Sequence, residues 1–379
     1  MKFIHISDLH LGKKLHEYSL IEDQRYILNQ IIGIIDSEKP DGVLIAGDVY
    51  DKSMPAVEAV SLFDDFLVKL SKRETDVFII SGNHDSAERV SFGARLMDSS
   101  GIHISPVYDG EIKPYKMRDE HGILNIYLLP FVKPAHVSRF TDEEIKSYTD
   151  AIRVAVEKMS VNTEERNVLV AHLFVTNSIR CESEEIPIGT LDNVDASVFE
   201  PFDYVALGHL HTPQNCGSEK IRYCGTPIKY SLSEMKSDKS VTVVELSEKG
   251  NLKVHSIPLT PLHELVELKG SYSEIMDNSF YSGKTWQDDY THIILTDENE
   301  IFEAMRRLSS VYHRVITLDY DNTRTRSNKS IRSVEDIEKK SPLELFSELY
   351  KKQNNQDMSA EQLEYMKKLI EELREEEQQ

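Results

Sequence analysis

The chain has 379 residues, which is enough for a large core and two or more domains. Its formal net charge of −21 argues against general adhesion to nucleic acid, so DNA binding would require a local basic patch. No apolar run reaches the roughly 18 residues that span a bilayer, and the first residues predict a strand rather than a signal peptide. Three cysteines in so long a chain are typical of a reducing cytoplasm.

Residues 1 to about 100 alternate between strand and helix patterns. Apolar runs predict strands at 3–7, 43–47 and 77–81, and a short strand at 102–104. Apolar residues at helical spacing predict helices near 20–38, 56–71 and 89–99. This repetition of strand, helix and strand predicts a largely parallel sheet.

Strand patterns dominate the next part of the chain. A strand pair is predicted at 111–117 and 123–129, and an amphipathic helix at 143–159. Further strands are predicted at 167–171, 203–207, 221–224, 241–246 and 252–257. We expect the strands from 166 to 257 to form a second sheet that packs on the first, with helices outside. The predicted fold is α/β, a two-sheet αββα sandwich.

The composition shifts near Pro258 and Pro261, where we place a domain boundary. Strands at 263–268, 292–295 and 315–320 with a helix at 300–309 predict a small α/β module. Two helices are predicted after a polar linker, at 342–354 and 360–377, and Ser359 with Gln362 forms a capping box for the second. The predicted division is 1–258 main domain, 259–322 small domain, 323–341 linker and 342–379 helical segment.

Residues that can bind a metal follow five of the apolar runs, at the carboxyl ends of strands where ligands of open α/β sheets usually bind. Taken singly, each motif also fits a helix cap, a tight turn or a polar loop. Their joint occurrence, each after an apolar run, favours one shared site. The motifs are Asp8-Leu9-His10, Gly47-Asp48, Gly82-Asn83-His84-Asp85, His172 and Gly208-His209-Leu210-His211.

The candidate ligands are carboxylates, an amide and imidazoles, without a thiolate. Such a set favours a hard or borderline divalent ion such as Mn²⁺ over a structural zinc. Seven ligands are too many for one ion with open positions, so we predict two ions that share Asp48, about 3.5–4 Å apart, and that bind a phosphate and generate hydroxide between them. The seven are Asp8, His10, Asp48, Asn83, His172, His209 and His211.

The order of these motifs resembles the calcineurin-like metallophosphoesterase superfamily. Finer matches, at 10–13, 47–51, 172–175 and 208–214, resemble its nuclease subunits of ATP-driven DNA repair complexes. The resemblance covers the whole chain and implies a small domain that caps the active site and helps to hold DNA. It implies a Mn²⁺-dependent nuclease that degrades duplex ends as a 3′–5′ exonuclease and cleaves single-stranded or hairpin DNA as an endonuclease.

The resemblance also implies a role for each residue of the site. One ion would be held by Asp8, His10, Asp48 and His211, and the second by Asp48, Asn83, His172 and His209. His84 would not be a ligand but would face the scissile phosphate, stabilise the transition state and assist the leaving oxygen. Asp85 or Asp51 would orient these groups.

Two segments are candidates for binding macromolecules. A basic stretch in the small module fits either DNA phosphates or a solvated face, and Lys13 and Lys14 are further candidates. The terminal helices carry apolar residues at helical spacing, which fits either packing on the main domain or a partner. The resemblance implies that they grip the coiled coil of an ABC-type ATPase, with a homodimer inside a heterotetramer. The basic stretch comprises Arg306, Arg307, Arg314, Arg324, Arg326, Lys329 and Arg332.

Two other functions remain open on the sequence alone. A generic metallophosphoesterase that acts on a nucleotide, cyclic nucleotide or phosphoprotein would need only the first 257 residues. It would leave the appended domains unexplained. A scaffold subunit that has lost its chemistry would show substituted ligands, and no motif ligand is missing here.

Overall fold

The computed structural model describes residues 1–176, 178, 193–323 and 325, and in the C-terminal region 343, 346–347, 350, 358–359, 362–366 and 369. The predicted linker, most positions of the two terminal helices and most of the basic stretch beyond residue 323 lie outside the described residues. Part of the stretch between the strands predicted at 167–171 and 203–207 also lies outside them.

The first of two large sheets is built mainly from the amino-terminal third of the chain. Its order is β16-β15-β1-β4-β5-β6, with β1, β4, β5 and β6 parallel and β15 antiparallel to β1. The elements of this region are β1 Lys2–Ile6, β2 Lys14–Leu15, β3 Tyr18–Ser19, α1 Ile21–Glu38, β4 Gly42–Ala46, α2 Val57–Ser71, β5 Asp76–Ile80, α3 Ala87–Val90, α4 Ala94–Met97 and β6 Ile102–Ile104, with β15 Ser240–Leu246 and β16 Leu252–Pro258.

The second sheet has the order β13-β14-β12-β9-β8-β7, with β8, β9, β12 and β14 parallel. Hairpin partners run antiparallel at both of its edges. The elements of this region are β7 Tyr115–Asp119, β8 Gly122–Leu129, α5 Pro134–Val137, α6 Tyr148–Lys158, β9 Arg166–His172, β10 Phe174–Val175, β11 Asn193–Val194, β12 Tyr204–Gly208, β13 Gln214–Cys216 and β14 Ser218–Tyr223.

Alternation along the buried strands produces the sandwich. Phe3, Leu44 and Phe78 on the first sheet share a core with residues such as Val168 and Ala206 on the second. The alternate residues of the first sheet pack with α1 and α2, and those of the second sheet pack with α6. Because side chains of a strand point to opposite faces in turn, fully apolar strands are expected where both faces are covered. The predicted αββα sandwich is therefore confirmed.

Three details of the prediction were wrong. The strands predicted at 241–246 and 252–257 extend the first sheet, because β15 pairs with β1, while the 111–129 strand pair joins the second. The helix predicted near 89–99 is broken into α3, α4 and a turn of 3₁₀ helix, because Gly93 adopts a φ of +75°. The helix predicted from 143 begins at Tyr148, where Ser147 and Asp150 form a capping box.

The chain divides into two compact units. The first comprises Met1–Glu267, Tyr281–His292 and Arg307–Thr317, and the second comprises Leu268–Phe280, Ile293–Arg306 and Leu318–Gln379. The three predicted strands of the small module are present, in the order β17-β18-β19. The domain boundaries expected from composition stay predictions. The elements here are β17 Leu265–Gly270, α7 Tyr272–Ile275, α8 Asn278–Tyr281, β18 Tyr290–Leu295, α9 Ala304–Leu308 and β19 Arg314–Tyr320.

The described C-terminal positions agree with the predicted capping box. The backbone N–H of Gln362 donates to Ser359 Oγ at 3.2 Å, and the backbone N–H of Ser359 donates to Gln362 Oε1 at 2.9 Å. Within the described part of the chain, no helix is long and apolar enough to cross a membrane.

Candidate metal centre

The metal-binding motifs converge at the carboxyl ends of β1, β4, β5, β9 and β12, where the two sheets meet. The loops after β1 and β4 continue to pair beyond the strands. The backbone N–H of Asp8 donates to Gly47 O, and that of His10 donates to Asp48 O, each at 3.0 Å. This pairing holds the first two motifs side by side.

Four residues of the site occupy the left-handed region of the backbone map. Their φ angles are 52° at Asp8, 41° at His10, 48° at Asp48 and 101° at His209. Residues other than glycine seldom adopt positive φ, and such strain clusters at functional sites. The tight turns therefore place these side chains at the sheet edge at a cost that the surrounding structure must offset.

Asp8, His10 and His211 form one side of the site. Each offers a ligand atom, and these atoms lie within 4.8 Å of one another. His10 Nε2 is 3.2 Å from His211 Nε2. Asp8 also accepts hydrogen bonds from Ser7 Oγ and from the backbone N–H of His209. Burial raises the pKa of Asp8 to about 6 and lowers that of His10 well below its usual value.

Asn83, His172 and His209 form the other side. Asn83 Oδ1 lies 2.9 Å from His172 Nε2 and 3.0 Å from His209 Nδ1. His172 Nδ1 donates to the carbonyl oxygen of Ala46 at 2.9 Å, which fixes the ring and directs Nε2 into the site. Burial alone would lower the pKa of His172, but the charge of Asp48 raises it to about 9.

Asp48 lies between the two sides. Its Oδ1 accepts the backbone N–H of His84 at 2.9 Å. Its Oδ2 lies 3.3 Å from His172 Nε2 and 3.7 Å from His10 Nε2. Burial would raise the pKa of Asp48, but the charges of His172 and His10 hold it below its usual range. The oxygen that faces both sides is therefore Oδ2.

His84 lies at the edge of the site and is partly buried. Its Nδ1 contacts the carbonyl oxygen of Asp51 at 3.1 Å, which leaves Nε2 facing Asp48 Oδ2 at 3.9 Å. Its ring stands edge-on to His10, with centroids 4.8 Å apart. By distance alone His84 could join His10 and Asp48 around an ion.

Asp85 supports the loops rather than facing the ligands. Its carboxylate accepts the backbone N–H groups of Val49, Tyr50 and Gly82 at 2.9–3.0 Å. Burial and the charge of Asp48 raise the pKa of Asp85 to about 6. Its contacts are those of a residue that positions the second and third motifs. Asp51 instead pairs with Lys13 Nζ at 2.8 Å.

A polar group behind His211 was missed by the sequence analysis. Glu234 Oε1 lies 3.3 Å from His211 Nδ1, and its Oε2 accepts from Lys239 Nζ at 2.6 Å and Thr226 Oγ1 at 3.1 Å. Burial would raise the pKa of Glu234, but the hydrogen bond from His211 and the charge of Lys239 hold it below its usual range. These residues lie in a polar stretch without a motif, so no pattern in the sequence marks them.

The donor set fits divalent cations. His211 Nδ1 lies beside the Glu234 carboxylate, which leaves its Nε2 facing His10 Nε2 at 3.2 Å. Two imidazole nitrogens that face each other at this distance are well placed to share a cation or a proton. Together the carboxylate, amide and imidazole donors of the two sides suit divalent cations.

The structure describes three arginines of the predicted basic stretch. Arg306 pairs with Glu303 at 3.4 Å, and Arg314 lies over the Tyr290 ring at 5.7 Å. Arg307 and Lys14 are exposed. Part of the predicted positive charge is thus offset locally.

Residues 1–213 match the calcineurin-like phosphoesterase family, and residues 261–354 match a family described as the type 5 capsule protein repressor C-terminal domain. The SbcD subunit of nuclease SbcCD from Staphylococcus epidermidis is 31% identical over 378 residues, which cover 98% of this chain and 98% of the relative. Among solved structures, a dimetal phosphatase from Danio rerio is 14% identical, with 69% of this chain and 98% of the other covered and a TM-score of 0.42.

The first family match spans more than half of the 379 residues, and the bacterial relative spans nearly all of them. The calcineurin-like phosphoesterase fold expected from the motifs is confirmed. The chain belongs to the SbcD family of nuclease subunits within the calcineurin-like phosphoesterases.

Proposed function

We propose that this chain is the nuclease subunit of an ATP-driven complex that acts in DNA repair, recombination and replication. Its activity is hydrolysis of phosphodiester bonds, as a 3′–5′ exonuclease on duplex ends and an endonuclease on single-stranded or hairpin DNA. One observation carries the proposal. The predicted ligands and His84 converge at one sheet edge in a chain 31% identical, over 98% of its length, to the SbcD subunit of a nuclease SbcCD.

The metal ions of this proposal are two Mn²⁺, with Mg²⁺ or another divalent ion as a substitute. Asp8, His10 and His211 would hold the first, Asn83, His172 and His209 the second, and Asp48 both. The position of Asp48 between the two sides supports its role as the shared ligand. Two such ions, when bound, neutralise phosphate charge and lower the pKa of water.

The remaining roles in this proposal belong to side chains of the chain itself. Asp8 and Asp48 counter the positive charge of the bound ions, and the hydrogen bonds at Ala46 and Glu234 orient two imidazoles for binding. His84 turns Nε2 toward the site while its Nδ1 is held by a carbonyl oxygen. From there it donates a hydrogen bond to the scissile phosphate or a proton to the leaving oxygen.

The partners in this proposal are DNA, an SbcC-type ABC ATPase with a coiled coil, and a second copy of the chain, in a cytoplasmic heterotetramer. The free, buried thiols of Cys216 and Cys224 are consistent with a reducing compartment. Two exposed apolar side chains offer a surface that a second copy could cover. They are Phe92, 84% exposed and between α3 and α4, and Leu96, 81% exposed and within α4.

The test compares Mn²⁺-dependent degradation of linear duplex and hairpin DNA with hydrolysis of small phosphodiesters. We expect cleavage of both DNA substrates by the full chain and loss of activity with chelator. Asp48→Ala should lose both ions and all turnover. A generic metallophosphoesterase would hydrolyse the small substrates and leave both DNA substrates intact. Near-normal Mn²⁺ content and turnover in Asp48→Ala would contradict the shared ligand.

A further inference from the structure

A cavity of about 350 Å³ opens beside the candidate metal centre. Asn83, whose Oδ1 contacts two imidazoles of the centre, lines it. Phe131 lines it as well, and its ring centroid is 6.4 Å from that of His172 in an edge-on arrangement. The volume falls within the roughly 300–1,000 Å³ typical of small-molecule sites. A group attached to a phosphate at the metal centre would therefore have this cavity next to it.

The cavity carries positive side chains in a chain whose net charge is −21. Lys133, His136 and Arg139 all line it, and Lys133 and Arg139 have no ion-pair partner among the described residues. Burial lowers the pKa of His136, and the charges of Arg139 and Lys133 lower it further. The carboxylates that line the cavity have other partners. Asp85 accepts hydrogen bonds from three backbone N–H groups, and Glu88 accepts one from Ser86 Oγ at 2.8 Å. Two cations are thus open to an anion.

Aromatic side chains also line the cavity. Phe131 and Tyr108 are two of them, and base–aromatic stacking contributes about 1–3 kcal/mol per base in single-strand binding proteins. The hydroxyl of Tyr108 is buried and has no hydrogen-bond partner within the described part of the chain. The hydroxyl is thus closed to the cavity, and the ring is the part of the Tyr108 side chain that a ligand there would contact.

We propose that this cavity binds the nucleotide next to the scissile phosphate. The base would lie against the rings of Phe131 and Tyr108, and Lys133 and Arg139 would bind the adjoining phosphate. A cavity of about 350 Å³ has room for one base, and we take an unpaired nucleotide as the unit recognised. The inference rests on the proposed nuclease function, whose substrate it specifies.

One experiment isolates the base. The full chain with Mn²⁺ hydrolyses thymidine 5′-(p-nitrophenyl) phosphate and methyl p-nitrophenyl phosphate, which share a leaving group but differ in the nucleoside. We expect wild type to favour the nucleoside ester in kcat/KM. Tyr108→Ala should reduce this preference about tenfold, the scale of one stacked base, and Tyr108→Phe, which keeps the ring, should retain it. Hydrolysis of the methyl ester by both variants reports that the fold and metal centre are intact.

A second experiment isolates the charge. Fluorescence anisotropy measures binding of labelled hexathymidylate in EDTA, where no turnover occurs. Lys133→Gln with Arg139→Gln should weaken binding and flatten its salt dependence, by up to about 0.7 in log–log slope for each phosphate that is no longer bound. The matched control is Lys220→Gln with Lys253→Gln. Those lysines are exposed and lie beside the amino ends of β12 and β1, opposite the metal centre.

Either of two results would overturn the inference: full nucleoside preference in Tyr108→Ala, or equal oligonucleotide affinity in the Lys133/Arg139 double variant and its control. Failure of the proposed function looks different. Wild type would then hydrolyse no DNA, while the charge experiment, which needs no turnover, would still report on the cavity.

Discussion

His84 is the residue for which geometry and resemblance differ most. Distance would allow it to ligate an ion together with His10 and Asp48. The resemblance instead makes it an acid and a phosphate contact. The contact of its Nδ1 with the Asp51 carbonyl suits either role, because both leave Nε2 toward the site.

Replacing His84 with Leu or Ser distinguishes these roles. We expect both ions to remain bound and catalysis to fall roughly 10²–10⁴-fold, the usual scale for a general acid–base group. Metal content by mass spectrometry and kcat on a hairpin substrate are the two measurements. Loss of one ion per chain from the variant would make His84 a ligand.

Glu234 lies behind His211, one of the proposed ligands, and contacts its ring. Glu234→Gln keeps the size of the side chain but removes the charge that orients His211 and pairs with Lys239. We expect Mn²⁺ affinity to fall about 10–100-fold, as for other residues behind metal ligands. Calorimetric titration measures this, with exposed Glu248→Gln as the control. Unchanged affinity in both variants would restrict Glu234 to a role in folding.

At the scale of elements, the sequence predicted what short-range pattern controls. Buried strands such as 43–46 and motifs at their ends follow from local runs of residues, and so does the sandwich. Sheet membership of β15 was misassigned because pairing with β1 joins residues more than 200 positions apart. The sequence did not indicate the Glu234 and Lys239 pair or the cavity residues for the same reason. None of them has a characteristic spacing in the sequence, and only the fold brings them to the site.

An ion pair between two strands leads to a prediction about stability. Arg166, which begins β9, binds Asp119 of β7 through two nitrogens and also donates to the carbonyl oxygens of Ser247 at 2.8 Å and Gly122 at 3.0 Å. Burial would raise the pKa of Asp119, but Arg166 holds it well below its usual value. Asp119→Asn leaves the buried Arg166 without its counter-charge; a fully buried pair would cost roughly 3–5 kcal/mol to break, and we expect less here because Asp119 is only partly buried.

The pH dependence of this loss follows from the depressed pKa. Asp119 contributes its stability above the unfolded-state pKa of about 3.9, and the contribution disappears as pH falls through the folded-state value. Urea unfolding of wild type and variant should therefore show the full difference at pH 7 and a narrowing one below about pH 4. Glu120→Gln, on the exposed neighbour, should show no difference at either pH. A constant gap across this range would exclude the ion pair as the cause.

At the scale of the whole molecule, the acidic net charge confines any DNA contact to local patches. Arg306 and Arg314 have local partners, whereas Lys133 and Arg139 do not among the described residues. Lys133 and Arg139 thus offer positive charge beside the metal centre to the proposed DNA strand. The small module would then add to binding through Arg307, which is exposed.

The helical segment 342–379 gives the last prediction. Two of its described side chains, Tyr365 and Phe346, line one apolar groove and are 68% and 38% exposed. Gln362 donates a hydrogen bond to the Tyr350 hydroxyl at 3.1 Å. Exposed aromatic residues beside a groove are typical of a surface that receives an amphipathic helix. The segment carries no predicted metal ligand, so its loss should spare the chemistry.

Deleting residues 342–379 should therefore leave intrinsic metal-dependent cleavage unchanged and abolish association with the SbcC-type ATPase. Tyr365→Glu should weaken that association at least tenfold, because it places a charge where an apolar contact forms, and Glu364→Gln on the same helix should not. Co-purification and calorimetry with the partner's coiled-coil base measure both effects. Equal association of the deleted and complete chains would place the partner on another surface, and loss of cleavage by the deleted chain would tie the segment to the nuclease itself.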